Sequence, residues 1–117
     1  MTKRVLVVED DALIGLDIAQ QLSDAGLEVM GPAVSVAKAF RLMSEKTCDA
    51  AVLDVNLGAE TAEPVALALR ARRTPFIVLS GYSREQHPPG FQGAPMLLKP
   101  ARPEELVALL SKCMAEG

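Results

Sequence analysis

Glu9 and Asp10, Asp54, Ser80 and Lys99 are the residues of this chain whose types could do chemistry together, because each group follows directly on a short apolar run. Those runs are 5–8, 50–53, 76–79 and 96–98. If they are strands of one parallel sheet, their carboxyl ends bring all five polar side chains to a single edge, where open α/β sheets bind ligands. Three carboxylates gathered there repel one another, and the remedies are proton uptake or a hard cation. Oxygen donors with no neighbouring His or Cys select Mg²⁺ or Mn²⁺ over zinc, and Mg²⁺ expects phosphate oxygens among its further ligands. Lys99 adds a compact positive charge and Ser80 a hydroxyl that donates to a phosphoryl oxygen. A carboxylate can accept a phosphoryl group as an acyl phosphate, which makes Asp54 the candidate nucleophile.

Each residue also has an ordinary reading. Glu9 or Asp10 alone would be a helix cap, Ser80 a turn cap and Lys99 a solvated surface charge. What argues for chemistry is their recurrence, in order, at four strand tips. The elements that must place them are legible from periodicity. The run 5–8 is β-branched without alternation, as in a strand covered on both faces. Leu13, Ile14, Ile18, Leu22 and Ala25 follow at helical spacing up to Gly26, a helix stop. Residues 28–33 read as a weaker strand, and Ser35 caps a helix with Val36, Ala39, Phe40 and Met43 on one face. After Asp54 comes a loop containing Gly58, then a helix opened by Pro64 that turns Val65, Ala68 and Leu69 inward. Arg70, Arg72 and Arg73 read as its solvated end. Residues 83–95 hold Pro88, Pro89, Gly90, Gly93 and Pro95 without apolar period, so a mobile loop with at most a turn or two of helix is expected. Pro103 starts a last helix whose Leu106, Leu109, Leu110 and Cys113 form one stripe. The alternation predicts five β-α units on a parallel sheet.

Composition narrows the function classes. The chain has 117 residues, half of them hydrophobic, enough for one packed core. With 12 Lys and Arg against 15 Asp and Glu and only 3% aromatic residues, neither a phosphate-binding surface for nucleic acid nor a base-stacking platform is expected. Cys48 and Cys113 lie far apart in apolar segments and fit a reduced cytoplasmic protein. The N-terminal apolar run is too short for a signal or a membrane span. His87, in the Pro-rich stretch, has no partner in sequence and reads as exposed.

Val7-Val8-Glu9-Asp10, Leu53-Asp54, Ser80 and Lys99-Pro100 resemble the signature positions of response regulator receiver domains in two-component signalling, over essentially the whole chain. The resemblance implies a flavodoxin-like (βα)5 three-layer sandwich, sheet order 2-1-3-4-5, with a fourth helix that is short or disordered. It implies that Asp54 accepts a phosphoryl group from a histidine kinase or histidine phosphotransfer protein, assisted by Ser80 and Lys99. Asp10, Asp54 and the backbone carbonyl of Asn56 would bind Mg²⁺ (or Mn²⁺), and Glu9 would act through water. The Lys99–Pro100 bond would be cis. Residues 1–117 would be a single stand-alone receiver domain without an output domain, signalling by protein contact or within a phosphorelay, with phosphorylation-dependent homodimerisation as one mode and no separate substrate turnover.

Two departures from the family pattern stand out. Met96 occupies the position, three before the lysine, where most receivers carry an aromatic switch residue. The Pro- and Gly-rich stretch stands where a regular fourth helix would be. With Ser80-Gly81-Tyr82, these features are similar to a subgroup of mostly single-domain receivers with a hydroxyl-Gly-aromatic signature. Tyr82 and Asn56 would then lie beside the phosphoryl group, with Tyr82 shielding it from water, and signalling would proceed by ordering of residues 83–95. Two other classes share parts of the pocket. A degenerate receiver would bind partners without phosphorylation. A Mg²⁺-dependent aspartyl-phosphate phosphohydrolase would commonly carry an acid two residues after the nucleophile, where this chain has Asn56.

Overall fold

Alternate residues of the three central strands face two different cores. Val5 and Val7 of β1 (Arg4–Val8), Ala50 and Val52 of β3 (Ala50–Asp54), and Ile77 and Leu79 of β6 (Phe76–Ser80) pack into one cluster. Leu6 and Val8, Ala51 and Leu53, and Phe76 and Val78 pack into the other. A period of two on strands buried on both faces requires this split, and it explains why these runs carry no polar alternation. The structure is a computed structural model that describes residues 2–81 and 88–116.

The five-stranded parallel sheet has the order β2-β1-β3-β6-β7, with β2 at Glu28–Ala33 and β7 at Met96–Leu98. A small antiparallel hairpin, β4 (Asn56–Leu57) and β5 (Glu60–Thr61), is inserted after β3. Set that hairpin aside and the order is the 2-1-3-4-5 that the family resemblance implies. Helices α1 (Ala12–Asp24) and α4 (Pro103–Glu116) cover one face through Ile18, Leu22, Leu106 and Leu110. Helices α2 (Val36–Glu45) and α3 (Glu63–Ala71) cover the other through Ala39, Met43, Val65, Ala66 and Leu69. Three layers result, as the flavodoxin-like reading requires.

Helix ends follow local chemistry. Asp11 caps α1, its carboxylate accepting from the N–H groups of Leu13 and Ile14 at 3.0 and 3.1 Å. Ser35 caps α2 by accepting from Lys38 N–H at 3.1 Å. Gly26 follows α1 at φ +87°, a conformation only glycine adopts readily.

Three sequence expectations need correction. Leu13 and Ile14 do not join the buried stripe of α1 but stand 79% and 40% exposed, because the helix turns Gly15, Ile18 and Leu22 to the sheet. On α2, Phe40 is likewise turned outward while Ala39 and Met43 are buried. The Pro- and Gly-rich stretch holds, over its described part, no more than the expected turn of helix, but that turn is packed against the core rather than left as an open loop. Pro89–Phe91 forms one turn of 3₁₀ helix and Phe91 is 2% exposed in the α2/α3 core. Tyr82, residues 83–86 and His87 lie outside the described residues.

What holds that turn is Arg70, at the basic end of α3, where Arg70, Arg72 and Arg73 are exposed as expected. Arg70 Nε donates to Gly90 O at 2.8 Å, its guanidinium also reaches Gln92 O, and its Cζ lies 5.2 Å from the centre of the Phe76 ring. From the first turn of the same helix, Glu63 Oε2 accepts from Gly90 N–H at 2.9 Å. A Cβ on Gly90 would stand 2.8 Å from Glu63 Cγ, so this close approach needs glycine. Hydrogen bonds from a charged group contribute about 1.5–3 kcal/mol. Arg70→Met is therefore expected to speed amide exchange at residues 90–94 by about tenfold or more while leaving β1, β3 and β6 protected. Unchanged exchange there would show that Phe91 and the Glu63 bond anchor the turn without Arg70.

Candidate functional site

The sheet edge collects the expected side chains. Glu9 follows β1, Asp54 ends β3, Ser80 ends β6 and Lys99 follows β7. Parallel pairing sets their level: Val8 pairs with Leu53, Asp54 with Leu79 and Ser80 with Leu98, so the strands end side by side. Lys99 N–H donates to Ser80 O at 2.9 Å and continues the β6–β7 ladder, and the Lys99–Pro100 bond is cis.

From there the Lys99 ammonium reaches across the edge to Asp54 Oδ2 at 2.8 Å and Glu9 Oε1 at 2.9 Å. The contact to Asp54 is a hydrogen bond, whereas Glu9 Oε1 is buried and lies outside hydrogen-bonding geometry. Glu9 is 1% exposed, Asp54 6% and Ser80 1%. Asp10 faces solvent, and ligand atoms of Glu9, Asp10 and Asp54 lie within 4.8 Å of one another.

This clustering has an electrostatic signature. Burial, followed by the hydrogen bond and charge of Asp54, pushes the Glu9 carboxyl up to about 7, against the opposing pull of Lys99. Burial works against the Lys99 ammonium, but Asp54 and Glu9 together hold its pKa above the ordinary lysine value. One ammonium, in contact with Asp54 and Glu9, thus stands beside a cluster of three carboxylates, leaving acidic charge that a divalent cation would neutralise. The donor set is oxygen only, and a buried carboxylate oxygen lacks a hydrogen-bond partner. These residues fit a hard cation such as Mg²⁺, with exposed Asp10 and buried Asp54 as the ligands.

The remaining expected residues fall in three places. Asn56 opens the β4–β5 hairpin two residues beyond Asp54, its side chain in solvent. Met96, the switch-position residue, is 36% exposed on edge strand β7. Tyr82 lies outside the described residues. Sequence reading missed the hairpin itself, since two-residue strands are too short for periodicity. Gly58, at φ +69° in its turn, was the only local signal. A Cβ on Gly58 would lie 3.9 Å from Asp10 Oδ2, so the hairpin turn borders the acidic cluster. Beside the cluster, a groove of about 500 Å³ runs between α1 and α4, lined by Leu13, Ile14, Ile18, Lys99, Pro100 and Leu106. Among the described residues, no helix is long and apolar enough to cross a membrane.

No family model matches the chain. Among curated proteins, it is 31% identical over 83 residues to the transcriptional regulatory protein PdtaR of Mycobacterium tuberculosis, covering 70% of this chain and 40% of that protein. It is 40% identical over 82 residues to the transcriptional regulatory protein PrrA of Mycobacterium bovis, covering 68% of this chain and 35% of that protein. The chain spans about two fifths or less of the length of these relatives. Among solved structures, it is similar to a CheY-like response regulator receiver domain protein from Methanospirillum hungatei JF-1, with a TM-score of 0.88 at 23% identity, covering 99% of this chain and 96% of that one. It is also similar to the chemotaxis protein CheY4 of Vibrio cholerae, with a TM-score of 0.79 at 27% identity, covering 97% of this chain and 99% of that one.

Proposed function

Because the chain belongs to the receiver domains of response regulators, we propose that it takes a phosphoryl group onto Asp54 from a phosphohistidine donor and passes the signal on by protein contact. The observation that carries this reading is the Lys99 ammonium held between Asp54 and Glu9 at the carboxyl edge of the sheet. A carboxylate oxygen of Asp54 attacks the phosphorus. The P–N bond to the donor imidazole breaks, its electron pair returns to the ring nitrogen, and an acyl phosphate remains on Asp54. Lys99 and the Ser80 hydroxyl balance charge on the phosphoryl oxygens, and burial of Asp54 keeps bulk water from the new bond. Mg²⁺, held by Asp10, Asp54 and the Asn56 carbonyl, would neutralise the charge spread over the transferring group.

A phosphohistidine donor is presented on a protein, so the pocket needs a docking face beside it. The α1/α4 groove supports one: it includes Lys99 itself, and Leu13 and Ile14 present apolar surface to solvent at its rim. Output by contact is supported on the other side of the pocket by Met96 and Leu98, 36% and 51% exposed on β7.

The test of this reading is covalent uptake of one phosphoryl group from acetyl phosphate and Mg²⁺, read by intact mass. A docking variant separates donor recognition from chemistry. Leu13→Glu is expected to slow uptake from autophosphorylated histidine kinases by tenfold or more, a loss of about 1.4 kcal/mol in docking, while uptake from acetyl phosphate stays at the wild-type rate. Equal rates from both donors would remove the groove from the reading.

A further inference from the structure

We propose that Glu60 is a positioning residue for the cation site, clamping the β4–β5 hairpin to the N-terminus of α2 so that the turn carrying Gly58 stays registered against Asp10. The inference rests on the reading of the acidic cluster as a Mg²⁺ site. Its observations come from outside that cluster.

The hairpin pairs Asn56 with Thr61 and Leu57 with Glu60. A ribbon of two-residue strands has no stability of its own and stays in place only through what ties it down. Three ties are present. Ala62 N–H donates to Val55 O at 2.9 Å and closes the base. Leu57, 5% exposed, anchors one strand in the core. On the opposite strand, Glu60 Oε1 accepts from Val36 N–H at 2.9 Å.

That third tie differs from the other two. Val36 N–H is one of the amides at the start of α2 that no helical carbonyl satisfies, and the helix dipole favours a carboxylate there. The helix also has a cap of its own in Ser35. The Glu60 bond therefore links a rigid element to the hairpin strand that Leu57 does not anchor. Glu60 pairs with the residue next to Asn56, and the turn between the strands carries Gly58 to the border of Asp10. Releasing Glu60 frees β5 and the turn to pivot about Leu57, which shifts the Gly58 turn relative to Asp10 while buried Val55 and Leu57 keep Asn56 in place.

The experiment is a calorimetric titration of Mg²⁺ into wild type, Glu60→Ala, Glu60→Gln and Ser35→Ala, beside thermal melts of each. Partners behind metal ligands commonly set affinity by 10-fold or more, so Glu60→Ala is expected to raise the Mg²⁺ Kd about tenfold and Glu60→Gln, whose amide oxygen can still accept from Val36, only about threefold at most. Ser35→Ala is expected to lower the melting temperature and leave the Kd unchanged, which a purely structural effect of α2 capping would not do. In the metal-free protein, Glu60→Ala is expected to speed amide exchange at residues 56–62. A wild-type Kd in Glu60→Ala, or an equal loss in Ser35→Ala, would overturn the clamp. No Mg²⁺ uptake by wild type would instead overturn the reading of the cluster, and the clamp with it.

Discussion

Asp54→Asn is expected to take up no phosphoryl group from acetyl phosphate and Mg²⁺, where the wild-type protein gains one. The asparagine amide can still accept the Lys99 hydrogen bond that Asp54 Oδ2 makes at 2.8 Å, so the pocket keeps its shape. It lacks the anionic oxygen that the proposed acyl phosphate requires, and the loss should be complete rather than partial. The change sits at the end of β3, between backbone ladders to β1 and β6 that involve no side chain, so the fold has no reason to fail. Intact mass reads the result directly, and a melt of the same sample verifies folding. An adduct that persists in Asp54→Asn would place the phosphoacceptor elsewhere, with Asp10 the next carboxylate in reach. The comparison also separates the receiver chemistry from the phosphorylation-independent binding module, in which wild type itself gains no mass.

Stability should carry the second large effect, through Glu9. Its carboxyl titrates near 7 in the metal-free fold against 4.5 for the ordinary group. Between those values the folded protein binds more protons than the unfolded chain, so this contribution is fully present below 4.5 and is lost as pH rises through 7. The difference corresponds to about 3 kcal/mol at most. Burial sets the sign, with Asp54 adding to it, while Lys99 at 2.9 Å favours the ionised form and the Asp11 N–H donates weakly to Oε2 at 3.3 Å. Urea unfolding in EDTA should therefore show higher stability at pH 5.5 than at pH 8.5, by an amount on the order of 2 kcal/mol. Glu9→Gln should flatten that difference by raising stability at the alkaline end. Saturating Mg²⁺ should flatten it too, since the cation favours the ionised carboxylate. A metal-free wild type whose stability climbs steadily from pH 5.5 to 8.5 would show that other groups dominate the linkage.

Both effects trace to residues that were legible before any coordinates. Continuous apolar runs ending in Glu9, Asp54, Ser80 and Lys99 determined a parallel sheet and the identity of the polar groups at its edge. A strand's chemistry is carried by residues adjacent in sequence, and a parallel sheet aligns all its carboxyl ends on one side. Pro64, Pro103, Ser35 and Gly26 marked helix ends because capping is local as well.

Tertiary structure alone decided what depends on contacts between distant segments. Periodicity could not tell that Leu13 and Ile14 of α1 face a groove rather than the sheet, since an apolar stripe wider than the sheet can cover leaves its rim in solvent. Nor could it tell that Arg70 and Glu63 grip a turn some twenty residues or more further on, because a basic helix end looks solvated until something packs against it. The hairpin at 56–61 and the Glu60 bond to Val36 were hidden for the same reason. Two-residue strands leave no pattern, and a bond spanning 24 residues exists only once β3, α2 and their connections have been packed together.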